Sequence, residues 1–427
     1  MSDIVRDWLN PYLPVWAVDI LLAAVVTTVL LLFAAGTMML QVWVERRVIA
    51  RFQDRIGPNR VGPAGLLQSV ADGVKMFTKE DIVPRAADKW VHLLAPVITL
   101  APVMLILAVL PWGLGLVPVD LDISVLYVAA VSSISGVGLM MAGWSSSNKF
   151  ALLGAMRAVA QLVAYEIPLT IALLGVVLLT GGMSLARIPE LQAGLPFVGT
   201  TITDAPDLGL GWFIFTPVGL IGFVIYYICV LSEGERTPFD IPEADSEIVA
   251  GYMTEYSGMK FAEFFLAQYV LNFSLSLVAA VVFLGGWQGP GVAQLAAIEG
   301  PVGSVLAGLL SLFYTLAKTW ALFLGMVWLR GALPRLRADQ LMGFAWKFLL
   351  PLALVNVVCA ALFSALTTWD NALWGGVIRL DDWQPLARQI LALVVTGIIS
   401  VASCIWVLQL NQPERSPATR AAIMGKV

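Results

Sequence analysis

Histidine is nearly absent from this chain: His92 stands alone among 427 residues. A haem held by two histidines cannot be built from it alone. Cysteine is almost as scarce. Cys229, Cys359 and Cys404 lie far apart in apolar segments and form no C-x-x-C pair. They read as small buried hydrophobes, not as a disulfide framework or thiolate site. Neither G-x-G-x-x-G nor a P-loop pattern occurs, so the common nucleotide-binding fingerprints are missing. Charge is thin as well. Only 13% of residues are charged and the formal net charge is −4, which gives no basis for binding nucleic acid.

Apolar residues fill the space, at 59% of the chain and a mean hydropathy of +0.85. That composition predicts an all-α polytopic membrane protein in one integral domain over 1–427. Nine apolar segments can be read: Ala17–Val44, His92–Leu110, Val125–Gly143, Arg157–Leu179, Trp212–Leu231, Phe264–Gly285, Val305–Leu329, Phe348–Thr368 and Ile390–Leu410. Most are near the length a helix needs to cross the hydrocarbon core. The first is longer and should tilt or extend beyond it. It is also too long for the apolar region of a cleaved signal peptide, and Asp3, Arg6 and Asp7 precede it. The tail over 411–427 reads as disordered.

Basic residues cluster in alternate connectors. With the Glu45–Lys89 connector cytoplasmic, only Arg6, Arg187, Arg379 and Arg388 fall outside and Lys318 within a span, out of 25 lysines and arginines. The expected orientation is N-terminus out and C-terminus in. Within that connector, Leu66, Val70, Val74 and Phe77 recur at helical spacing, with Asp72, Lys75 and Lys79 on another face. This pattern predicts an amphipathic helix along the membrane surface or against a partner.

Two ionisable residues fall inside spans. Glu166 lies nine residues into the fourth, about 13 Å at helical rise, two residues before Pro168. Lys318 lies twelve residues before Arg330, about 18 Å. Both distances run from the expected cytoplasmic side, so the charges should sit at similar depths. Charge at membrane depth lines a water path or finds a partner. The densest acidic stretch is Leu231–Phe261, with Glu233, Glu235, Asp240, Glu243, Asp245, Glu247 and Glu255 against Arg236 and Lys260. Asp240 and Glu243 have capping-box spacing for a helix through Glu247 to about Tyr256. The stretch can be read as a solvated loop or as a loop that lines a ligand and carries protons.

Four composite motifs carry a resemblance. They are ERRVIARFQDRIGPNRVGPAGLLQSVADGVKMFTKE (45–80), SSSNKFALLGAMRAVAQLVAYEIPL (145–169), LSEGERTPFDIPEADSEIVAGYMTEYSG (231–258) and RGALPRLRADQLMGFAWKFLLPL (330–352). Together they resemble the quinone-binding membrane subunit of proton-pumping NADH:quinone oxidoreductase, respiratory complex I. That family comprises the bacterial H subunit and mitochondrial NADH dehydrogenase subunit 1. The likeness covers about 17–368 in order. It implies eight core helices and a chamber, formed largely by cytoplasmic-side loops, that ubiquinone enters from the bilayer. FMN, the iron–sulfur clusters and the residues nearest the quinone head would belong to partner subunits, with no cofactor bound by this chain alone. The partners implied are peripheral-arm quinone-site and iron–sulfur subunits, small membrane-arm subunits, quinone and lipid. The location implied is a bacterial inner membrane.

The resemblance assigns quinone binding to Arg46, Arg55, Asp72, Phe261, Phe264 and Phe265. It assigns a proton path to Glu166, Glu233, Glu243, Asp245, Glu247 and Glu255, with Lys318 beside it, and loop bracing to Arg236 and Asp240. No residue is expected to be a redox catalyst. Two departures stand out. Gln268 occupies a position where relatives often carry an acid, with Glu263 five residues upstream as a substitute, and Ile390–Leu410 adds a ninth span. The competing reading is a stand-alone ion-coupled transporter or antiporter, which would also use intramembrane Glu and Lys. It predicts inverted repeats and paired helix breaks, whereas the sequence offers only the break at Pro168. A purely structural anchor is the third reading.

Overall fold

A computed structural model describes residues 14–193, 209–242, 249–298, 301–367 and 385–410. Eleven helices organise them. They are α1 (Val15–Phe52), α2 (Gln68–Thr78), α3 (Lys89–Val109), α4 (Ser124–Ser145, broken at Ser133), α5 (Lys149–Thr180), α6 (Pro217–Glu233), α7 (Gly258–Phe283), α8 (Val292–Ala296), α9 (Pro301–Ala332), α10 (Ala338–Thr367) and α11 (Pro385–Leu410). No strand occurs among the described residues. Eight helices are long and apolar enough to cross a membrane, and α6 is a shorter apolar helix of 17 residues. This is a multi-pass α-helical membrane protein.

Helix α7 is the axis of the bundle. Its most apolar window is 83% buried, against 11% for α1. From Tyr269 to Phe283 every side chain is buried, as expected of a helix apolar on all faces. Its buried Ser274 and Ser276 return their hydroxyls to the carbonyls of Val270 and Asn272, so neither hydroxyl goes unsatisfied. Helices α3 and α9 pack on α7, α4 packs on α3, and α5 packs on α4, α6 and α10. Helix α11 packs on α10 and α6. Ala392, Thr396 and Val407 are buried in that contact, while Ile398, Val401 and Trp406 face outward.

Helix ends follow local chemistry. Asp88, Asn148 and Thr216 cap α3, α5 and α6 by accepting from the backbone N–H of Trp90, Phe150 and Gly219. Helix α6 starts at Pro217, five residues after Trp212, because Phe213–Phe215 forms a 3-10 turn and Pro217 suits a first helical position. Helix α10 begins at Ala338, ten residues before the apolar run signals it, and passes through a π-helical turn at Ala345–Leu349. Helix α5 runs through Pro168 as a single helix.

The helix expected to reach Tyr256 is corrected. Val249 and Gly251 have φ of 63° and 55°, and Gly251–Met253 is a 3-10 turn. A Cβ on Gly251 would lie 2.0 Å from the Pro242 carbonyl oxygen. Close backbone approach, not capping, shapes this segment. Asp240 spends its Oδ2 on Arg335 at 2.7 Å. Its supposed capping partner Glu243 lies outside the described residues.

Candidate functional site

Helices α1 and α2 and the first half of α7 enclose an apolar groove of about 450 Å³. Ser69 fixes α2 to α1 by donating to the Met39 carbonyl at 2.8 Å. Met38, Met39, Met76 and Leu266 form walls, and Arg46 and Asp72, paired at 2.5 Å, stand at the rim. The apolar face of α2 turns outward: Val70, Val74 and Phe77 are all exposed, as suits a helix lying on lipid.

Four of the six residues expected at a quinone site meet here: Arg46, Asp72, Phe261 and Phe265. Phe264 does not. One residue along a helix is about 100° of rotation, and Phe264 is buried against Tyr252 and Tyr256 instead, at 5.6 and 4.9 Å between ring centroids. Arg55 lies beyond the end of α1, exposed and bonded to Gln53. Tyr269 and the methionines of α1 escaped the sequence reading. The spacing of Ala35, Met38, Met39 and Val42 along one face of α1 was the available signal.

Behind the groove lies a buried ionic knot. Glu45 of α1 accepts from Arg236 Nη1 at 3.1 and 2.9 Å through its two oxygens, and also from Arg330 of α9. The Arg236 guanidinium sits 4.2 Å from the Tyr269 ring centroid, and Tyr269 lines the groove. One cation thus touches α1, the loop after α6 and the groove wall. Asp240 is held by Arg335. Burial pushes its carboxyl above the usual range, against the opposing pull of Arg335, Arg330 and Arg236. Arg236 and Asp240 each form an ion pair from the loop, to Glu45 and Arg335. Their anchor Glu45 was missed, because a lone Glu at a helix end has no pattern that marks it as buried.

The loop itself leaves α6 in a tight turn. Gln161 of α5 donates to the carbonyls of Ser232 and Phe239, both at 2.8 Å. Gln268 and Asn272 of α7 donate to the Gly234 carbonyl at 3.2 and 3.3 Å. A Cβ on Gly234 would fall 1.7 Å from Asn272 Oδ1, so only glycine fits. Glu235 takes φ 49°, a costly conformation for a side-chain-bearing residue. It accepts from the Tyr252 hydroxyl at 2.9 Å.

Three acids follow one another through this region. Glu235 and Glu233 line a narrow pocket of about 30 Å³ with Phe264 and Gln268. Glu233 also lines a cavity of about 330 Å³ that contains Glu166. The two spaces share Ser135, Leu162 and Glu233, and Ser133, at the break in α4, lines the larger one beside Glu166. Glu233 Oε2 is buried with no hydrogen-bond partner among the described residues, so a water or a proton is a natural complement.

The remaining expected residues scatter. Glu255 accepts from Asn148 at 2.7 Å at the start of α5. Glu243, Asp245 and Glu247 lie outside the described residues. Gln268 and Glu263 line different spaces, the acid pocket and the apolar groove. Lys318 is corrected in position. It lies under Trp212, before α6 begins, whereas Glu166 shares its cavity with Glu233 at the last residue of α6. The 17 residues between span about 25 Å, so the two charges are not level. Among the described residues no cluster of three His, Cys, Asp or Glu could hold a metal.

A profile of the NADH dehydrogenase family matches residues 24–361. The chain belongs to that family. Among its relatives, the NADH-quinone oxidoreductase H subunit of Dehalococcoides mccartyi strain CBDB1 is 46% identical over 329 residues, 77% of this chain and 83% of that protein. A second such relative, numbered 2 among the H subunits of Koribacter versatilis, is 41% identical over 366 residues, covering 81% of this chain and 98% of its own length. The H subunit of Chlorobaculum tepidum is 44% identical over 328 residues, 75% of this chain and 86% of that protein. The family match contains the groove, the Glu45 knot and the three acids, and it stops before α11.

Proposed function

We propose that this NADH dehydrogenase family member walls the quinone chamber of a proton-pumping NADH:quinone oxidoreductase and carries protons from it into the membrane arm. The observation that carries the reading is adjacency. An apolar groove suited to an isoprenoid tail shares its α7 wall with the pocket of the buried Glu235 and Glu233, and Glu233 also lines the cavity of the half-buried Glu166.

Reducing a quinone takes two electrons and two protons. The electrons come from partner subunits that hold FMN and iron–sulfur clusters. This chain holds the tail between α1, α2 and α7, with Arg46 and Asp72 at the rim. Charge appearing in the chamber acts on neighbouring carboxylates strongly, because the surroundings have low polarity. Closely placed carboxylates cannot all ionise easily and share protons. A change at the quinone therefore redistributes protons from Glu235 through Glu233 to Glu166. Glu255, which accepts from Asn148, and Glu243, Asp245 and Glu247, which lie outside the described residues, complete the proposed acid set. Arg236 and Asp240 keep the loop in place through Glu45 and Arg335. The basic connectors support a cytoplasmic side for this end of the bundle and an outside N-terminus, in a bacterial inner membrane.

A photoreactive quinone analogue tests the chamber. Labelling should fall on the peptides around 35–46, 69–77 and 259–269 and be displaced by excess quinone. Displaceable label confined to other subunits would remove this groove from the quinone route. A native gel separates the transporter reading: assembly into a very large complex supports the proposal, and migration as a small oligomer refutes it.

A further inference from the structure

Helix α7 ends at Phe283, and the last carbonyls of any helix lack partners within it. Gly285 and Gly286 follow with φ of 73° and 49°, and Gly286 N–H returns to the Ala280 carbonyl at 2.8 Å. The turn gathers the carbonyls of Leu284, Gly286 and Gln288 about one point. Lys318, arriving from α9, donates from Nζ to these three at 2.6, 2.8 and 2.6 Å. The faces of Trp212 and Tyr314 stand 4.3 and 6.0 Å away.

An ammonium has three N–H donors, and three carbonyls use them all. Aromatic faces and a helix C-terminus both favour a cation. The cage is also rigid. The Trp212 indole donates to the Gly209 carbonyl and the Tyr314 hydroxyl to the Pro290 carbonyl, each at 2.9 Å. A Cβ on Gly285 would meet Trp212 at 2.6 Å, and one on Gly289 would meet the Tyr314 ring at 2.7 Å.

We infer that this cage is a receptor for a primary ammonium ion, filled from within by Lys318, and that it ties the ends of α6 and α7 distant from the acids to the middle of α9 without passing protons. A lysine that relays protons must give one up to an acceptor. All three hydrogens here point at amide carbonyls, and no carboxylate is among the partners in the described residues. Losing a proton would leave a buried carbonyl unpaired. The ligand class follows: a primary alkylammonium fits, and a quaternary one has no N–H to offer.

The test uses the assembled complex. Lys318→Ala opens the cage, and its melting midpoint should fall. Added n-propylammonium should raise that midpoint, while tetramethylammonium should not, and neither should move the wild type. Lys318→Met keeps the bulk and removes the charge. It should melt early or fail to assemble, with no response to amine because the space is filled. If Lys318→Ala does not assemble, Lys318→Met decides. A fully assembled Lys318→Met complex with wild-type melting overturns the inference, and if it has also lost pumping it makes Lys318 a proton carrier. A Lys318→Ala complex that melts early but ignores n-propylammonium overturns the receptor. None of these outcomes bears on quinone labelling, so the chamber proposal stands or falls separately.

Discussion

Arg236 grips both carboxylate oxygens of Glu45 while its guanidinium lies 4.2 Å from the ring centroid of Tyr269. This contact joins the groove wall to the acidic loop. Removing one partner of a buried ion pair costs about 3–5 kcal/mol, since the other charge is left unpaired. Glu45→Gln should lower the melting midpoint of the complex more than Arg236→Met, because it strands two arginines. In the double variant the losses should fall short of their sum. Additive losses would show that the pair is not coupled.

The groove is narrow enough to block. Ala35 of α1 lines it, and Ala35→Trp would fill much of its volume. Quinone reductase activity should fall at least about tenfold, a penalty of about 1.4 kcal/mol or more in the barrier. NADH–ferricyanide activity, which bypasses the chamber, should persist. Unchanged kinetics with long-tailed quinones would place the tail elsewhere.

Gln268 offers a gain-of-charge test. It faces Glu233 and Glu235 and donates to the Gly234 carbonyl. Gln268→Glu would put a third carboxylate beside two others, and a like charge makes ionisation harder. The alkaline side of the pumping profile should move to higher pH. A profile identical to wild type would separate this pocket from the proton route.

Tyr256 gives the contrary expectation. Burial raises its phenol to about 12, against the hydrogen bond with Ser145. It stays neutral at every pH where pumping is measured, so Tyr256→Phe should leave the pumping profile in place. The unfolded chain releases this proton near pH 10 and the folded one near 12, so folded stability falls as pH rises between them. The variant should lose that component of alkaline destabilisation, at a cost of about 1 kcal/mol for the missing hydrogen bond. A shifted pumping profile would contradict the assignment.

The spans were legible because apolar length is a direct consequence of bilayer thickness, and α2 was legible from the helical repeat of its apolar residues. What escaped depended on partners distant in sequence. Phe264 and Phe265 are equivalent in composition, and only the rotation of α7 separates groove from core. Glu45 becomes a knot only once Arg236 and Arg330 arrive from 191 and 285 residues away. The turn at 249–253 is set by the Pro242 carbonyl and the backbone of Gly154, which local capping rules cannot foresee. Lys318 was read as one more membrane charge because its partners are backbone carbonyls, and these leave no trace in side-chain chemistry.

The central claim is that protons reach the membrane arm through Glu235, Glu233 and the half-buried Glu166. The most direct measurement is proton translocation per quinone reduced in assembled Glu166→Gln. The account predicts loss of translocation, with proton transfer falling by about a hundredfold or more, the low end for losing a positioned proton-transfer group, and NADH–ferricyanide activity intact. Wild-type translocation in that variant would contradict it.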